Sequence, residues 1–326
     1  MTTTVSVPGS DKATTPLGVG MATLMREPST RKQLRVLEAA YDVGYRYIDT
    51  APSYGLGAAE TVLGQFLRGR RDEVTVATKF GREVSVSSPL MRFIQRPARA
   101  LLKRFPSLRG AATQAAGRPL HQPVDFSPEA ADRSLERSLR ALGTDYVDIL
   151  LLHDVRPEAV ADDPLGEWVD RQIGRGRIRA VGLATSPHAT VEILRAHPGR
   201  YAVLQMASHV LAPAGDLVDP LRPPLRVTHS ALAPVLARFR EQTRADARWA
   251  RRLDSLAGAD ATSSVAATAR FLLAWALHEC AGGVVLVGST SPDHLRSAAD
   301  TGRTYEPDAL DRARVFVAET VEGRRG

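Results

Sequence analysis

The chain has 326 residues, is 44% hydrophobic and 24% charged, and carries a formal net charge of +7. That balance supports a sizeable core and excludes a disordered or collagen-like chain. No apolar run approaches the roughly 18 residues of a membrane span. The opening stretch MTTTVSVPGSDKATT has no apolar signal region, and one cysteine, Cys280, excludes an internal disulfide framework. These features set the expectation of a cytoplasmic protein. The charge is carried mainly by arginine, and the lysines are Lys12, Lys32, Lys79 and Lys103.

Strand-like and helix-like patterns alternate along the chain. LGVGM (17–21) reads as a short buried strand. STRKQLRVLEAAYDVG reads as a helix capped by Ser29 or Thr30, with Leu34, Leu37, Ala40 and Tyr41 on one face and Gly44 at its stop. YRYIDT is a second strand, AAETVLGQFLRG a helix and EVTVATKF a third strand. After a long interruption, SPEAADRSLERSLRALG reads as a helix with Ser127 as cap, Pro128 in its first turn and Gly143 at its end. The strand YVDILLLH, a helix over 157–175 and the strand IRAVGLA come next. A helix over 187–197 and the strand YAVLQM follow. LRVTHSAL reads as a seventh strand, SSVAATARFLLAWALHE as its helix, GVVLVGS as an eighth strand and 292–299 as a closing helix. The strands are continuous apolar runs, as expected when both faces are covered.

Eight such repeats predict one (β/α)₈ TIM barrel domain over residues 1–326, with a long insertion after strand 3 and an extra helical segment after strand 7. A doubly wound open sheet is the alternative. It is weakened because GVGMAT holds only two glycines of the Gly-x-Gly-x-x-Gly turn such sheets carry.

In a barrel, reactive groups gather at the carboxyl ends of the strands. Asp49 ends the second strand and Tyr54 lies in the turn after it. Lys79 ends the third strand and His153 the fourth. Burying a lysine and an aspartate apart is costly, and pairing them offsets that cost. A tyrosine beside the lysine is expected to have its pKa drawn below the usual value of about 10. A histidine can donate a hydrogen bond to a carbonyl oxygen. Together these groups could protonate an alkoxide as hydride reduces a carbonyl.

GYRYIDTAPSYG (44–55), Lys79 in VATKF, His153 in YVDILLLH and Gln205 in YAVLQM resemble the aldo-keto reductases, over roughly residues 15–300. The resemblance implies a (β/α)₈ barrel with an extended nicotinamide cofactor across its rim. It also implies Tyr54 as proton donor, Lys79 and Asp49 as the groups that tune it, and His153 as the residue orienting the substrate carbonyl. The small-molecule substrate it implies is an aldehyde or ketone. Oxidation of an aldose or alcohol is the same chemistry reversed, on the sugar-dehydrogenase side of the family. No metal, nucleic acid or membrane partner is expected, and the oligomeric state is left open.

On the cofactor side, the resemblance puts Gly20 and Met21 beside the cofactor. Ala184 and Thr185 stand where many relatives have the Ser-Asn pair that clamps the nicotinamide carboxamide, and Gln205 is the third carboxamide partner. His229 stands where relatives stack an aromatic ring, with Ser230, Ala231 and Leu232 following it toward the pyrophosphate. The segment Gly288, Ser289, Thr290, Ser291, with His294 beyond it, resembles the adenosine-phosphate site, where a helix N-terminus suits an anion. The resemblance makes NADPH the first expectation, and the neutral character of this segment makes NADH its rival.

The insertion over about 82–126 holds seven basic residues between Val84 and Val124 and no acid. They are Arg92, Arg96, Arg99, Lys103, Arg104, Arg109 and Arg118. A positively charged lid favouring an anionic substrate is the functional expectation, and a solvated face the plain one. The second insertion, about 233–262, reads as an exposed helix with Arg240, Arg244, Arg248 and Arg252 along a solvated stripe. Tyr305 and Phe316 in the tail are candidates to finish the substrate pocket. Trp168, Trp249 and Trp275 read as packing residues. Rivals from other classes are a cofactor-sensing binding subunit with little turnover and a barrel whose cofactor site has decayed.

Overall fold

The computed structural model describes residues 4–82, 125–161, 164–218, 223–301 and 305–322. All seven basic residues of the first insertion lie outside them.

A short antiparallel hairpin near the N-terminus, β1 (Val5–Ser6) and β2 (Ala13–Thr14), precedes the main sheet. Eight parallel strands follow: β3 (Leu17–Gly20), β4 (Tyr47–Asp49), β5 (Thr75–Phe80), β6 (Val147–His153), β7 (Ile178–Ala184), β8 (Val203–Ala207), β9 (Leu225–His229) and β10 (Val284–Val287). They pair in chain order, and β10 returns to β3 to close a barrel. This is the expected (β/α)₈ architecture.

Residue parity builds two cores. Tyr47, Ala77, Ile149, Leu151, Val203, Leu225, Val227, Val284 and Leu286 fill the barrel interior. Their strand neighbours Ile48, Val76, Leu150, Leu152, Leu204, Val285 and Val287 face the helices. The alternation follows from the two-residue period of a strand. It is invisible as a polar–apolar pattern because both faces are apolar.

Capping follows the local chemistry. Ser127 Oγ accepts from the Ala130 amide at 3.3 Å at the start of the Pro128–Leu142 helix, a contact worth about 1 kcal/mol in typical helices. Gly143 ends that helix at φ 67°, a conformation glycine adopts without steric cost. The helix expected over 157–175 is instead a 3₁₀ turn, Pro157–Val160, and a helix, Pro164–Gly174. Pro164 lacks the N–H that would continue the first turn, and it starts the second piece.

The second insertion is two helices, Leu236–Ala245 and Ala247–Ala257. Asp246 is extended between them, and its carboxylate caps the second by accepting from the Arg248 and Trp249 amides. Three of the four expected arginines, Arg244, Arg248 and Arg252, are exposed on the insertion's outer face, while Arg240 is half-buried and donates to the Thr262 carbonyl at 3.1 Å. Its inner face buries Phe239, Trp249 and Leu253. Trp168 and Trp275 are also buried, so all three tryptophans pack.

The hairpin closes the N-terminal end of the barrel, where Val5 and Val7 join the interior core. Lys12 Nζ reaches the fully buried Asp148 at 3.0 Å, and Arg71 reaches the same carboxylate at 2.8 Å. No element was expected here, although the dipeptide Pro8-Gly9 inside VSVPGSDKATT is a turn signal.

Candidate active site

The parity that fills the interior also aims the candidate groups. Asp49 shares the parity of Tyr47, Lys79 that of Ala77, His153 that of Ile149 and Leu151, Gln205 that of Val203, and His229 that of Leu225 and Val227. Asp49, His153 and His229 end their strands, Lys79 is one short of the end, and Gln205 is the middle residue of β8. Their side chains therefore meet at the C-terminal mouth.

Tyr54 arrives from the turn after β4. That turn is a short 3₁₀ segment, Tyr54–Gly57, in which Gly55 has φ 59°. A Cβ on Gly55 would stand 2.6 Å from Met25 Cε, so glycine serves both the backbone angle and the close approach.

Lys79 and Asp49 are buried and form an ion pair through Asp49 Oδ1. Lys79 Nζ also donates to the Thr50 carbonyl at 3.1 Å. It lies 5.0 Å from the centre of the Tyr54 ring. Burial alone would lower the Lys79 pKa. The charge and hydrogen bond of Asp49, with Tyr54, outweigh it and leave the group above its ordinary value. The Tyr54 ring meets the His153 ring edge-on, at 6.4 Å between centres and 89° between planes.

The expected fall of the Tyr54 pKa is corrected by the structure. Burial raises it, and the opposing charge and hydrogen bond of Lys79 do not fully cancel that rise. The phenol is therefore protonated across the neutral range. Burial, helped by the positive charges of Lys79 and Arg82 and by His229, lowers His153 to about 3, so its imidazole is neutral. His153 Nδ1 is buried with no hydrogen-bond partner among the described residues.

These groups line a cavity of about 790 Å³. Of the sequence candidates, Gly20, Asp49, Tyr54, Lys79, His153, Ala184, Thr185, Gln205, His229, Ser230, Ala231, Leu232 and Gly288 line it. Met21 does not: its side chain is fully buried in the core. Ser289, Thr290, Ser291 and His294 lie past Gly288, outside the lining. There Ser289 Oγ accepts from the Ser291 amide at 3.0 Å and meets His294 Nδ1 at 3.3 Å. Arg296, the nearest cation on the same helix, pairs with Asp293 at 2.8 Å.

Tyr305 and Phe316, the expected pocket aromatics, also lie outside the lining. Tyr305 packs on Phe271 at 5.9 Å, and Phe316 stacks on Trp249 at 6.0 Å. The apolar inner face of the second insertion holds Phe316 away from the mouth, and Phe271, on the helix that follows the insertion, holds Tyr305. The sequence reading passed over Thr23, Ser53, Arg82 and Asp154, all of which line the cavity. Arg82 and Asp154 could have been found, because they flank Lys79 and His153 in KFGR and LLHD.

The lining fits a nicotinamide ring and its carboxamide. Gln205 Nε2 donates to Asp49 Oδ1 at 2.7 Å. A carboxylate only accepts, so this contact fixes which end of the amide faces it. Gln205 Oε1 is left as an acceptor on the cavity side. Thr185 donates its hydroxyl to the Val155 carbonyl at 3.0 Å, which leaves its oxygen as an acceptor. Ala184 offers no side-chain hydrogen bond. His229 is half-buried at the lining, and its Nδ1 meets Ser230 Oγ at 2.8 Å, which fixes the ring as a platform.

The fold and site define a barrel enzyme with its polar groups collected at one mouth. The model of the Aldo/keto reductase family matches residues 16–312. The chain belongs to that family, whose members are NAD(P)-dependent oxidoreductases. It is 37% identical over 148 residues to D-threo-aldose 1-dehydrogenase of a Pseudomonas species, covering 42% of this chain and 39% of that relative. The chain thus spans less than half the length of that relative. Over 296 residues it is 28% identical to 6-dehydroglucose reductase of Agrobacterium fabrum, covering 87% and 86% of the two chains. The glycerol dehydrogenase of Gluconobacter oxydans superimposes with a TM-score of 0.72 at 19% identity, covering 98% of this chain and 96% of that one. An aldo-keto reductase from Klebsiella pneumoniae in complex with NADPH gives 0.67 at 20%, with coverage of 98% and 96%. At these identities the solved structures support the fold alone. Among the described residues, no helix is long and apolar enough to cross a membrane.

Proposed function

We propose that this protein interconverts a carbonyl and an alcohol with a nicotinamide cofactor, and that Tyr54 is its proton donor. The observation that carries the reading is the buried Lys79–Asp49 pair beside the Tyr54 phenol, with the neutral His153 imidazole at its edge. The bound cofactor supplies hydride from C4 of its dihydronicotinamide ring to the carbonyl carbon.

The chain's own groups act on the oxygen. Tyr54 Oη gives its proton to the oxygen as negative charge develops there, and His153 donates an N–H to the same atom. Burial keeps the phenol protonated before reaction, while Lys79 stabilises the phenolate that remains. The lysine therefore acts most strongly as the proton leaves, which is where stabilisation accelerates the step. Solvent returns the proton to Tyr54. In the oxidative direction the Tyr54 phenolate accepts the alcohol proton. Gln205, Thr185 and His229 orient the cofactor against the reacting atoms.

The substrate class we favour is a small aldehyde, ketone or aldose. The names of the two sequence relatives, an aldose dehydrogenase and a dehydroglucose reductase, support the sugar side. NADPH is our first assignment. NADH is the rival, because hydroxyls near Ser289 and an already paired Arg296 offer no uncommitted cation for a 2′-phosphate. Parallel fluorescence titrations with NADPH and NADH, followed by turnover on a panel of aldehydes and aldoses, test both assignments. Saturable binding with turnover supports the reading, and folded protein that binds neither cofactor overturns it.

A further inference from the structure

The mouth of the cavity carries a charged pair that the proton-transfer scheme does not use. Arg82 lies just past the end of β5 and Asp154 directly after β6. Arg82 Nη1 meets Asp154 Oδ2 at 3.1 Å. Both line the same cavity as Tyr54 and His153. Their charges reach those groups. Behind the larger effect of burial, Arg82 adds to the lowering of His153, and Asp154 adds to the raising of Tyr54.

The backbone at Asp154 is left-handed, with φ 54°. Non-glycine residues seldom adopt that region, although aspartate tolerates it better than most. Its N–H is held by the Ala184 carbonyl at 2.9 Å. The strand end is thus turned sharply to set this carboxylate on the rim beside His153, and such backbone outliers concentrate at ligand clamps. The pair is too exposed, at 43% and 53% of side-chain area, to matter much for folding.

The rest of the lining narrows the ligand. Tyr54 is the one Phe, Tyr or Trp among the described lining residues, and the other rings there are the imidazoles of His153 and His229. Thr23, Ser53 and Ser186 add hydroxyls. A guanidinium and a carboxylate already in contact can each share hydrogen bonds with neutral hydroxyls and leave no charge unbalanced. A carboxylate or phosphate on the substrate would instead meet the negative charge of Asp154.

We propose that Arg82 and Asp154 determine specificity by holding vicinal hydroxyls of a neutral, polyhydroxylated carbonyl substrate, an aldose. The proposal rests on the reading of the same site as a carbonyl–alcohol oxidoreductase.

The test compares three probes in the reductive direction: the best neutral aldose from a pentose and hexose panel, the corresponding uronic acid, and hexanal. Asp154→Asn should lower kcat/KM for the aldose relative to hexanal by at least about tenfold, mainly through KM, since a site that hydrogen-bonds hydroxyls through a charged group discriminates strongly by them. It should also raise kcat/KM for the uronate relative to hexanal, because the carboxylate that repels it is neutralised. Arg82→Gln should lower both aldose and uronate relative to hexanal. Opposite effects of the two variants on the uronate are a signature that general damage does not give. All three substrates moving by one common factor in both variants would overturn the proposal while leaving the oxidoreductase reading intact. So would hexanal exceeding every aldose in the wild type. Wild-type protein that binds cofactor and turns over none of the three would overturn both. If Asp154→Asn fails to fold, Arg82→Gln decides: an equal loss on aldose and hexanal overturns the proposal.

Discussion

Gln205 Nε2 donates to Asp49 Oδ1 at 2.7 Å, tying the middle of β8 to the end of β4. The same oxygen receives the Lys79 ammonium. One carboxylate thus links the residue assigned to the cofactor with the residue assigned to tuning the phenol. Gln205→Leu should weaken nicotinamide binding by about tenfold, the scale of one lost hydrogen bond. Gln205→Glu should weaken it further, because it sets a second carboxylate against Asp49. Fluorescence titration of both variants checks this, and unchanged affinity in both would remove Gln205 from the cofactor site.

Tyr54→Phe keeps the ring and its edge contact with His153 but removes the transferable proton. We expect kcat/KM to fall by about 10²–10⁴, the usual range for losing a general acid. Cofactor affinity should stay near that of the wild type. Steady-state kinetics beside a binding titration separates the two, and activity within a few-fold of wild type would exclude Tyr54 as the donor.

Lys79→Met leaves Asp49 buried without its cation. Breaking a buried pair typically costs about 3–5 kcal/mol. The double variant Asp49→Asn/Lys79→Met should recover much of that stability and none of the activity. A double-mutant cycle by urea unfolding measures the coupling. Independent, additive losses would mean that the two side chains do not depend on each other.

Stability should depend on pH through His153. Its pKa is lowered to about 3 from an unfolded value of 6.5. The unfolded state therefore binds the proton more readily between these values, so folding stability falls as pH drops from about 6.5 toward 3 and is fully present above 6.5. The upper limit of this contribution is roughly 5 kcal/mol, at about 1.4 kcal/mol per pKa unit. Denaturant melts over that window should show the wild type losing stability relative to His153→Gln as pH falls. Parallel curves would show that His153 is not held neutral by the fold.

The sequence carried most of the barrel because its strands are continuous apolar runs closed by caps such as Ser127 and stops such as Gly143. It carried the candidate site for a related reason. Asp49, Lys79 and His153 are charged or titratable groups at the ends of apolar strands, an expensive placement unless they meet. What it did not carry depends on competing interactions in space. Proximity of Tyr54 to Lys79 suggested a lowered phenol pKa, whereas burial opposes it and wins. The tail aromatics looked available to the pocket, but Phe316 has a better partner in Trp249. The inner face of the second insertion was masked by its arginines. Asp154 was legible as the neighbour of His153 in LLHD, but the left-handed backbone angle that turns it onto the rim was not.

The central claim is that this mouth moves hydride and proton onto a carbonyl. The most direct measurement follows deuterium from nicotinamide cofactor labelled at C4 into product, with wild type and Tyr54→Phe side by side. The account predicts label on the carbinol carbon with wild type and a collapse of transfer, at retained cofactor binding, in the variant. Tight cofactor binding by wild type with no label transferred to any aldehyde, ketone or aldose would contradict it and point to a binding subunit instead.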